Sequence, residues 1–516
     1  MQPRAIAELS TAERRAFFDR DSGVESARED VREILPRVRE EGDVAVRELS
    51  KEFDGVDVAN IDVTAEAERA AEDVDDDTLA AIRDAVANVR AFHERQRPDG
   101  WREQFEDREL GRRFRPIERV GVYVPGGTAA YPSSAIMGVV PAKVAGVEHV
   151  AVATPPAEEI NPVTLAAIHE AGADAVYSVG GAQAIGALAY GTETVDAVQK
   201  IVGPGNPWVT AAKAEVRGEV EIDFLAGPSE ILVLADDTAD PEFVAADLLA
   251  QAEHDPEASV VAVTDDAAFA EEIVEETERQ LADRERAETI REVLDSDASG
   301  VLAARSMPEA VLFAEEYAAE HLSIQAENDE ALLDRIDNAG SVFLGPYAPV
   351  AAGDYATGTN HVLPTGGGAK VHGGLSVDEF LRSSTVQRLD RDALADLSDT
   401  ITTLAEAEGL EAHAESVRVR LRDGTTGDGD ASGDNTDDAG RAGDASGDNT
   451  DDAGRAGDAS GDNTDDAGRA GDASGDNTDD AGRAGDASGD NTDDAGRAGD
   501  ASGDNTDDAG RAGDDA

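Results

Sequence analysis

Apolar positions along the chain follow two different periods. At 26–40 and 77–93 they recur three and four positions apart among Arg, Glu and Asp, which predicts amphipathic helices. From Arg115 onward, short β-branched runs that end in Gly or Pro alternate with helical patterns. Strands are expected at 120–126, 149–156, 175–181, 200–205 and 221–228, and helices between them at 161–170 and 182–190. This alternation predicts right-handed βαβ units and a parallel sheet.

A second α/β stretch follows the first. It has strand patterns at 231–234, 259–264 and 341–344, with a helix at 241–254. The chain then closes with helical patterns at 377–382, 391–408 and 410–421. We therefore predict an α/β fold of two incomplete Rossmann-like domains, with small helical segments at both termini and a disordered acidic tail of repeats.

The tail is a tandem repeat. Residues 429–512 repeat the unit GDASGDNTDDAGRA six times at a period of 14. Each unit carries four Asp, one Arg and no large apolar side chain, so no burial offsets the entropy cost of ordering it. Solenoid repeats differ because each unit has an apolar face. We expect 424–516 to be disordered, with a role in solubility or weak interaction.

The rest of the chain is acidic in its own right. Residues 427–516 hold 27 acids and six Arg, which leaves 85 acids and 38 basic residues on 1–426. Only five of the basic residues are Lys. An even excess of carboxylate with few Lys is typical of a halophilic surface, on which salt screens self-repulsion. The same charge argues against nucleic acid as a partner, since phosphates need Lys and Arg arrays.

Several classes of protein are excluded by what the chain lacks. With no Cys, it has no thiolate metal site and cannot oxidise aldehydes through a cysteine thiohemiacetal. The N-terminus lacks an apolar signal core, and no stretch approaches the roughly 18 apolar residues of a membrane span. We expect a soluble, cytoplasmic protein of two or three domains with no membrane partner.

Glycine-rich turns follow three of the predicted strands, at 125–127, 180–183 and 203–206. Ligands of parallel sheets bind at the carboxyl ends of strands, so three such turns at one edge suggest a phosphate or a nucleotide. None of the three is GxGxxG, and the alternative is that the glycines only make tight strand-to-helix turns.

Candidate chemistry lies mainly in the second stretch. GDYATGTNHVLPT, at 353–365, carries Asp354 and His361 among small turn-forming residues, which predicts a site loop without regular structure. Asp247, Gln251 and His254 share one stripe of the helix predicted at 241–253. The alternative is that His254 caps this helix and Gln251 satisfies hydrogen bonds in the core.

Glu320 and His321 are adjacent and follow a helical pattern at 309–319. Neighbours on a helix point about 100° apart, so we expect the two not to pair but to face one locus. A histidine can carry a proton and a nearby glutamate can activate water. The alternative is a solvated pair. For Glu408 and His413, which lie five apart in a terminal amphipathic helix, a surface position is the default.

Nine stretches together resemble histidinol dehydrogenases, in the order of that family and over essentially all of 1–422. They read GVYVPGGTAAYPSS, GGAQAIGALAYGTETV, IVGPGNPWVTAAK, DFLAGPSEILVLAD, DLLAQAEHDP, YAAEHLSI, NAGSVFLG, GDYATGTNHVLPT and AEGLEAH. The resemblance implies oxidation of L-histidinol to L-histidine through L-histidinaldehyde, the last step of histidine biosynthesis. It also implies two NAD-dependent hydride transfers and one Zn2+ per subunit.

The resemblance also implies roles for particular residues. Zinc would be held by Gln251, His254, Asp354 and His413, which in the family also contact the substrate. His321 would carry protons and touch the substrate, and Glu320 would activate water. The remaining substrate contacts would be Ser229, His361 and Glu408, and the NAD contacts would be Tyr123, Gln183 and Asn206.

In the family, the segment with Glu408 and His413 comes from the neighbouring subunit, so we expect a homodimer with shared active sites. The expected domains are an N-terminal helical arm at 1–20, a metal-bearing and catalytic α/β domain at 21–118 plus 230–375, an NAD-binding α/β domain at 119–229, a C-terminal helical segment at 376–423 and the repeats at 424–516. Two alternatives stay open. One is a dehydrogenase on the same scaffold for another polar alcohol, such as a sulfonated diol, and the other is a metal- and nucleotide-binding module without catalysis.

Overall fold

The computed structural model describes residues 1–20, 23–126 and 130–422. Within them the strands, in chain order, are β1 (Arg4–Ala5), β2 (Trp101–Phe105), β3 (Arg108–Pro116), β4 (Arg119–Tyr123), β5 (His149–Thr154), β6 (Ala175–Ser178), β7 (Lys200–Val202), β8 (Glu221–Ile222), β9 (Glu230–Ala235), β10 (Ser259–Thr264), β11 (Gly300–Ala303), β12 (His321–Gln325), β13 (Ser341–Leu344) and β14 (Leu381–Leu389).

The α-helices of the same residues are α1 (Thr11–Phe18), α2 (Val24–Glu41), α3 (Asp43–Leu49), α4 (Thr64–Arg69), α5 (Asp76–Glu94), α6 (Pro132–Ala145), α7 (Pro162–Ala171), α8 (Gly181–Tyr190), α9 (Pro207–Val216), α10 (Pro241–Ala252), α11 (Ala267–Leu281), α12 (Ala287–Leu294), α13 (Met307–Tyr317), α14 (Asp329–Leu333), α15 (Val350–Tyr355), α16 (Arg391–Ala407) and α17 (Glu411–Leu421).

The first parallel sheet has the strand order β6-β5-β4-β7-β8. Alternate side chains of its strands enter two cores, because successive residues of a strand point to opposite faces. Val120 and Val122 belong to the core under α5, α6 and α7, whereas Ala151 and Ala153 belong to the core under α2, α8 and α9. Helices on both faces explain why these strands read as continuous apolar runs.

The second parallel sheet has the order β1-β11-β10-β9-β12-β13. Ile231 and Val233 of β9 pack with α10, α11 and α12, while Leu232 and Leu234 pack with α1 and α13 on the other face. Strands β9 and β12 are direct neighbours, with Ile231 opposite His321. This pairing joins segments that lie about ninety residues apart in the chain.

A third, antiparallel sheet of order β14-β3-β2 stands apart from the two parallel ones. The prediction of a helix at 377–382 is wrong, since 381–389 form strand β14 after a single 3-10 turn. Nine residues of β14 pair with β3, from Leu381 opposite Pro116 to Leu389 opposite Arg108. Pairing with a strand more than 260 residues away overrides the local helical pattern.

The predicted α/β fold class is confirmed, and strands β10 and β13 have the predicted bounds. The packing of the N-terminal half differs from the expected domain grouping. Helix α2 packs on α8 and α9, α5 packs on α6 and α7, and α4 contacts β6 and α7, so these helices join the body of the first sheet, whereas 21–118 were grouped with 230–375. Residues 1–20 are also integrated, because β1 pairs with β11 and Phe17 is fully buried in the second domain's core. The disordered repeats expected at 424–516 lie outside the described residues.

The part of the chain that the structure describes contains no helix long and apolar enough to cross a membrane.

Candidate active site

His321 is placed by a sharp exit from a helix. Helix α13 ends at Tyr317, and Ala318 turns the chain with φ +52°, a left-handed conformation that is uncommon for a residue with a side chain. His321 then opens strand β12. The expectation that Glu320 and His321 sit on a helix and do not pair is therefore wrong. Glu320 lies in the bend just before this strand, and its Oε2 is 3.5 Å from Nδ1 of His321.

The imidazole of His321 has different surroundings at its two nitrogens. Nδ1 lies 3.0 Å from the carbonyl oxygen of Glu230 on the neighbouring strand. Nε2 lies 3.6 Å from Oδ1 of Asp354 and is buried without a hydrogen-bond partner in the described chain. A carbonyl oxygen only accepts, so the neutral ring donates from Nδ1 and leaves Nε2 as a proton acceptor.

Two carboxylates dominate the electrostatics of this ring. Burial disfavours the charged imidazole, but the Glu320 charge and the contacts with Asp354 and Glu320 outweigh it and raise the pKa of His321 to about 10. Burial would likewise raise the pKa of Asp354. Its contact with His321 and the charges of His321, His361 and His254 lower that pKa instead.

Asp354 and His361 belong together, as the sequence predicts, but not in a wholly irregular loop. Asp354 lies in the short helix α15, so the expectation of a structureless stretch over 353–365 is wrong at its start. The chain then turns back, and Nδ1 of His361 donates to the carbonyl oxygen of Asp354 at 3.1 Å. Burial lowers the pKa of His361, with the Asp354 charge acting against it.

Helix α10 carries Gln251, and the turn after it carries His254, whose charge acts on Asp354. Gln251 is 3% exposed, and its side-chain amide makes no hydrogen bond within the described residues. Helix α10 ends at Ala252, so His254 lies in the turn after it and is exposed. Asp247 points inward from the same helix, where Gln325 donates to its Oδ2 at 3.1 Å. The predicted common stripe thus holds for Asp247 and Gln251.

The buried acid Glu230 was missed by sequence reasoning. Its backbone N–H donates to Oε2 of Glu320 at 2.8 Å, and its carboxylate pairs with Arg20 at 2.6 Å. Burial raises the pKa of Glu230 to about 7, with the Arg20 charge opposing. A glutamate at the head of the apolar run EILVLA is the signal that could have found it, since a charge there needs a partner.

The segment before Glu230 carries Ser229 and is tied to the loop that follows His361. Gly366 donates its N–H to Oε1 of Glu230 at 2.6 Å, and Gly227 donates to the Thr365 hydroxyl at 2.6 Å. These bonds bring Ser229, which is partly exposed, to the side of the loop that carries His361.

Glu408 and His413 are not gathered with the others. Glu408 ends α16 and His413 lies in α17, a hairpin that packs on itself. Both side chains are exposed, and no hydrogen bond or ion pair joins them to Asp354 or His321 in the described chain. Within residues 1–20, 23–126 and 130–422, no three His, Cys, Asp or Glu side chains are grouped to hold a metal.

The expected cofactor contacts lie at the carboxyl edge of the first sheet. Tyr123 ends β4, and its hydroxyl accepts from the N–H of Gly181 at the start of α8 at 3.1 Å. Gln183 of the same helix donates to Oδ2 of Asp54 at 3.4 Å, and burial raises the pKa of that carboxyl to about 6. Asn206 follows β7 and caps α9 by accepting from Val209 N–H at 3.0 Å. Of the turn at 125–127, Gly127 lies outside the described residues.

Two parallel sheets, one with helix-starting turns at its carboxyl edge and the other with a buried His–Glu–Asp cluster, define an α/β enzyme that can move protons at an enclosed site. Residues 19–421 match the family model described as histidinol dehydrogenase. The chain therefore belongs to the histidinol dehydrogenase family, a family of NAD-dependent oxidoreductases.

Named relatives agree with this family. The chain is 73% identical over 421 residues to the histidinol dehydrogenase of Haloarcula marismortui, with 82% of this chain and 100% of that protein covered. It is 72% identical over 424 residues to that of Halobacterium salinarum, with the same coverage. The crystal structure of histidinol dehydrogenase from Elizabethkingia anophelis matches with a TM-score of 0.77 at 38% identity, over 82% of this chain and 98% of that one. None of these similarities favours a dehydrogenase of another polar alcohol.

Proposed function

We propose that this chain oxidises L-histidinol to L-histidine through L-histidinaldehyde, the last step of histidine biosynthesis, with one Zn2+ per subunit and NAD. The observation that carries the proposal is the position of His321. Its Nδ1 is held by the Glu230 carbonyl oxygen at 3.0 Å, which leaves the unpartnered Nε2 beside Asp354 for a substrate proton. Holding one nitrogen sets the tautomer that the other nitrogen needs as a base.

Both oxidations use the same nitrogen, Nε2 of His321, as the proton acceptor. The charges of Glu320 and Asp354 favour the imidazolium form of His321 in the metal-free chain, and a zinc ion held by Asp354 would offset part of this charge and so favour the neutral ring. In the first oxidation Nε2 of the neutral ring takes the hydroxyl proton of the alcohol. It releases that proton to solvent and, in the second oxidation, takes the hydroxyl proton of the hydrated aldehyde. Between them a water oxygen must be added to the aldehyde carbon. Glu320 is the base for this step. Its Oε2 accepts from the Glu230 N–H at 2.8 Å, so Oε1 is the oxygen proposed to take the proton of the water.

The residues around Asp354 fit a zinc ion. Imidazole and carboxylate are ordinary zinc ligands, and an amide oxygen is an uncommon one. The buried Gln251 amide, which makes no hydrogen bond in the described chain, is free for that role. Gln251, His254 and Asp354 would hold the metal. When bound, zinc would grip the nitrogens of the substrate and so orient its alcohol carbon.

The first sheet fits NAD. Tyr123, Gln183 and Asn206 lie at the carboxyl edge of this sheet, after β4, β6 and β7, and two helices, α8 and α9, begin there. Helix N-termini favour a pyrophosphate because their first N–H groups are unpaired. When bound, NAD would accept the hydride of each oxidation. Ser229, His361 and Glu408 complete the proposed substrate contacts.

The fourth zinc ligand, His413, is proposed to come from a second subunit together with Glu408. The support is that both side chains are exposed on the α16–α17 hairpin and have no contact with the cluster of their own chain. A homodimer in which each hairpin completes the partner's site satisfies both facts. We propose the cytoplasm as the compartment.

One assay tests the proposed function. Purified protein is mixed with L-histidinol and NAD, with and without a chelator, and NADH and histidine are both quantified. Two NADH per histidine, lost with the chelator and restored by Zn2+, are expected. NADH formation from a sulfonated diol but not from histidinol, or no NADH from any alcohol, would contradict the proposal. The second of these outcomes would favour a binding module without catalysis.

A further inference from the structure

A buried ion pair lies beneath the glycine-rich turn at 203–206, one of the turns at which we expect a nucleotide. The proposed chemistry does not use this pair. Lys213 of α9 pairs with Asp223, which follows β8, and their side chains are 3% and 1% exposed. Lysine is scarce in this chain, with five in 516 residues. A buried ion pair contributes little net stability compared with apolar side chains of the same volume. Stability alone therefore does not account for this one.

Both charges hold the backbone of one residue. Asp223 accepts from the N–H of Gly203 through Oδ2 at 2.8 Å, and Nζ of Lys213 donates to the carbonyl oxygen of Gly203 at 3.0 Å. Gly203 adopts φ +110°, and a Cβ at this position would lie 2.2 Å from the carbonyl oxygen of Tyr123. The ion pair thus holds the turn at 203–206 in close contact with the end of β4. At position 203 this contact leaves room only for a glycine.

The turn at 203–206 ends with Asn206, and its Gly203 lies against the backbone of Tyr123. These are two of the three proposed NAD contacts. Tyr123 ends β4, whereas Asn206 follows the neighbouring strand β7. Asn206 Oδ1 is already engaged in the cap of α9, so the position of its side chain follows that of the turn. The distance between Asn206 and Tyr123 therefore depends on how the Gly203 backbone is fixed.

We propose that Lys213 and Asp223 are positioning residues for NAD: their ion pair clamps the N–H and C=O of Gly203 and thereby sets Asn206 against Tyr123. This inference rests on the proposed function, because it takes NAD as the ligand of this sheet edge. Neither side chain touches the cofactor itself, since both are enclosed beneath the turn.

The test compares two buried lysines: Lys213 of α9, which binds Gly203 just after the end of β7, and Lys200, which begins β7. Lys213→Met removes the clamp after the strand. Lys200→Met is the matched control, because Lys200 opens β7, is also buried and pairs with Glu379, away from the turn. NAD affinity is measured by titration calorimetry on the zinc-loaded dimer, and KM is measured separately for NAD and for histidinol. Melting temperature is recorded for each protein.

For Lys213→Met we expect the NAD dissociation constant and the KM for NAD to rise about 10- to 100-fold, while the KM for histidinol stays within about twofold. Lys200→Met should keep the NAD affinity of the natural protein, even if its melting temperature falls as much as that of Lys213→Met. An unchanged NAD dissociation constant in Lys213→Met would overturn the inference. An equal loss of NAD affinity in both variants would overturn the inference too, because a general loss of stability would then explain the effect.

A second variant covers the case in which Lys213→Met does not fold. Asp223→Asn keeps an oxygen that can accept from Gly203 N–H and removes only the charge that orients Lys213. It is expected to weaken NAD binding in the same direction and to leave histidinol unaffected, and NAD binding equal to that of the natural protein would overturn the inference. Failure of the natural protein itself to bind NAD would instead refute the proposed function.

Discussion

The carbonyl oxygen of Glu230 and Nδ1 of His321 lie 3.0 Å apart on neighbouring strands of one parallel sheet. The contact joins the first residue of β9 to the first residue of β12. It therefore depends on strand order and not on any local motif. A proton-transferring histidine anchored on sheet backbone is held more rigidly than one on a loop, which favours a single orientation of Nε2.

Replacing His321 by Asn should lower turnover of histidinol by about 100-fold or more, because Asn offers no base at the position of Nε2. The KM for histidinol should change by only a few-fold. Steady-state NADH formation measures both. His169→Asn, a change of an exposed histidine on α7, is the control and should keep full turnover. Turnover in His321→Asn close to that of the control would remove His321 from the mechanism.

Two inactive variants should regain activity when they are combined in one dimer, if the active sites are shared between subunits. His254→Ala damages the site of its own chain, whereas His413→Ala damages the site that its hairpin completes. Unfolding and refolding an equal mixture yields half heterodimers, in each of which one site is intact. About a quarter of the activity of the natural protein should return. If each chain forms its whole site alone, the mixture stays as inactive as its parts.

Asp247 should make stability depend on pH in a defined direction. Burial raises its pKa to about 6 from an ordinary 3.8, with the Gln325 and Val350 hydrogen bonds opposing. An acid whose pKa is raised by folding contributes stability that is complete below about pH 4 and is lost as the pH rises through about 6. Asp247→Asn removes this dependence.

The free energy of unfolding of Asp247→Asn, relative to the natural protein, should therefore rise between pH 4 and 7 by up to about 3 kcal/mol. Denaturant titrations at several pH values measure this difference. The contributions of the other acidic residues cancel, because both proteins contain them. Asp240→Asn, a change of the exposed cap of the same helix, is the control. A difference for Asp247→Asn that is flat over this range would contradict the expectation.

Two arginines near the N-terminus should differ in their effect on stability. Arg20 pairs with the buried Glu230, donates to the carbonyl oxygen of Tyr317 at 2.7 Å and lies 3.7 Å from the Tyr317 ring centre. Arg20→Met leaves a buried carboxylate without its partner, which costs about 3–5 kcal/mol. Arg14→Met breaks an exposed pair with Glu316 and should cost less than about 1 kcal/mol. Equal losses in denaturant titrations would show that the burial of the pair does not matter.

Salt should stabilise the protein. The chain carries a formal charge of −68, so its acidic side chains repel one another in dilute buffer. Molar KCl reduces the screening length to about 3 Å, which removes most of this repulsion. Calorimetry should give a higher unfolding temperature in molar KCl than in dilute buffer. No rise would end the halophilic interpretation.

The strands of the first sheet and strands β9, β10 and β13 could be predicted from the sequence because local patterns mark them, whereas β1, β2, β3, β11, β12 and β14 were not predicted. Apolar periods of two and of three to four mark strands and helices, and glycine turns mark the carboxyl ends of strands. The α/β class and the bounds of β10 and β13 follow from these patterns. The family follows from the order of nine stretches along the chain.

The tertiary structure alone decided which residues meet. No periodicity indicates that Glu230 lies beside His321, that Arg20 neutralises Glu230, or that 381–389 pair with β3 instead of continuing a helix. Such contacts arise when whole sheets and their covering helices bury apolar surface together. Neighbours in space are then set by the packing of the entire domain, whereas a stretch of sequence carries only the preferences of its own backbone and the face it must bury.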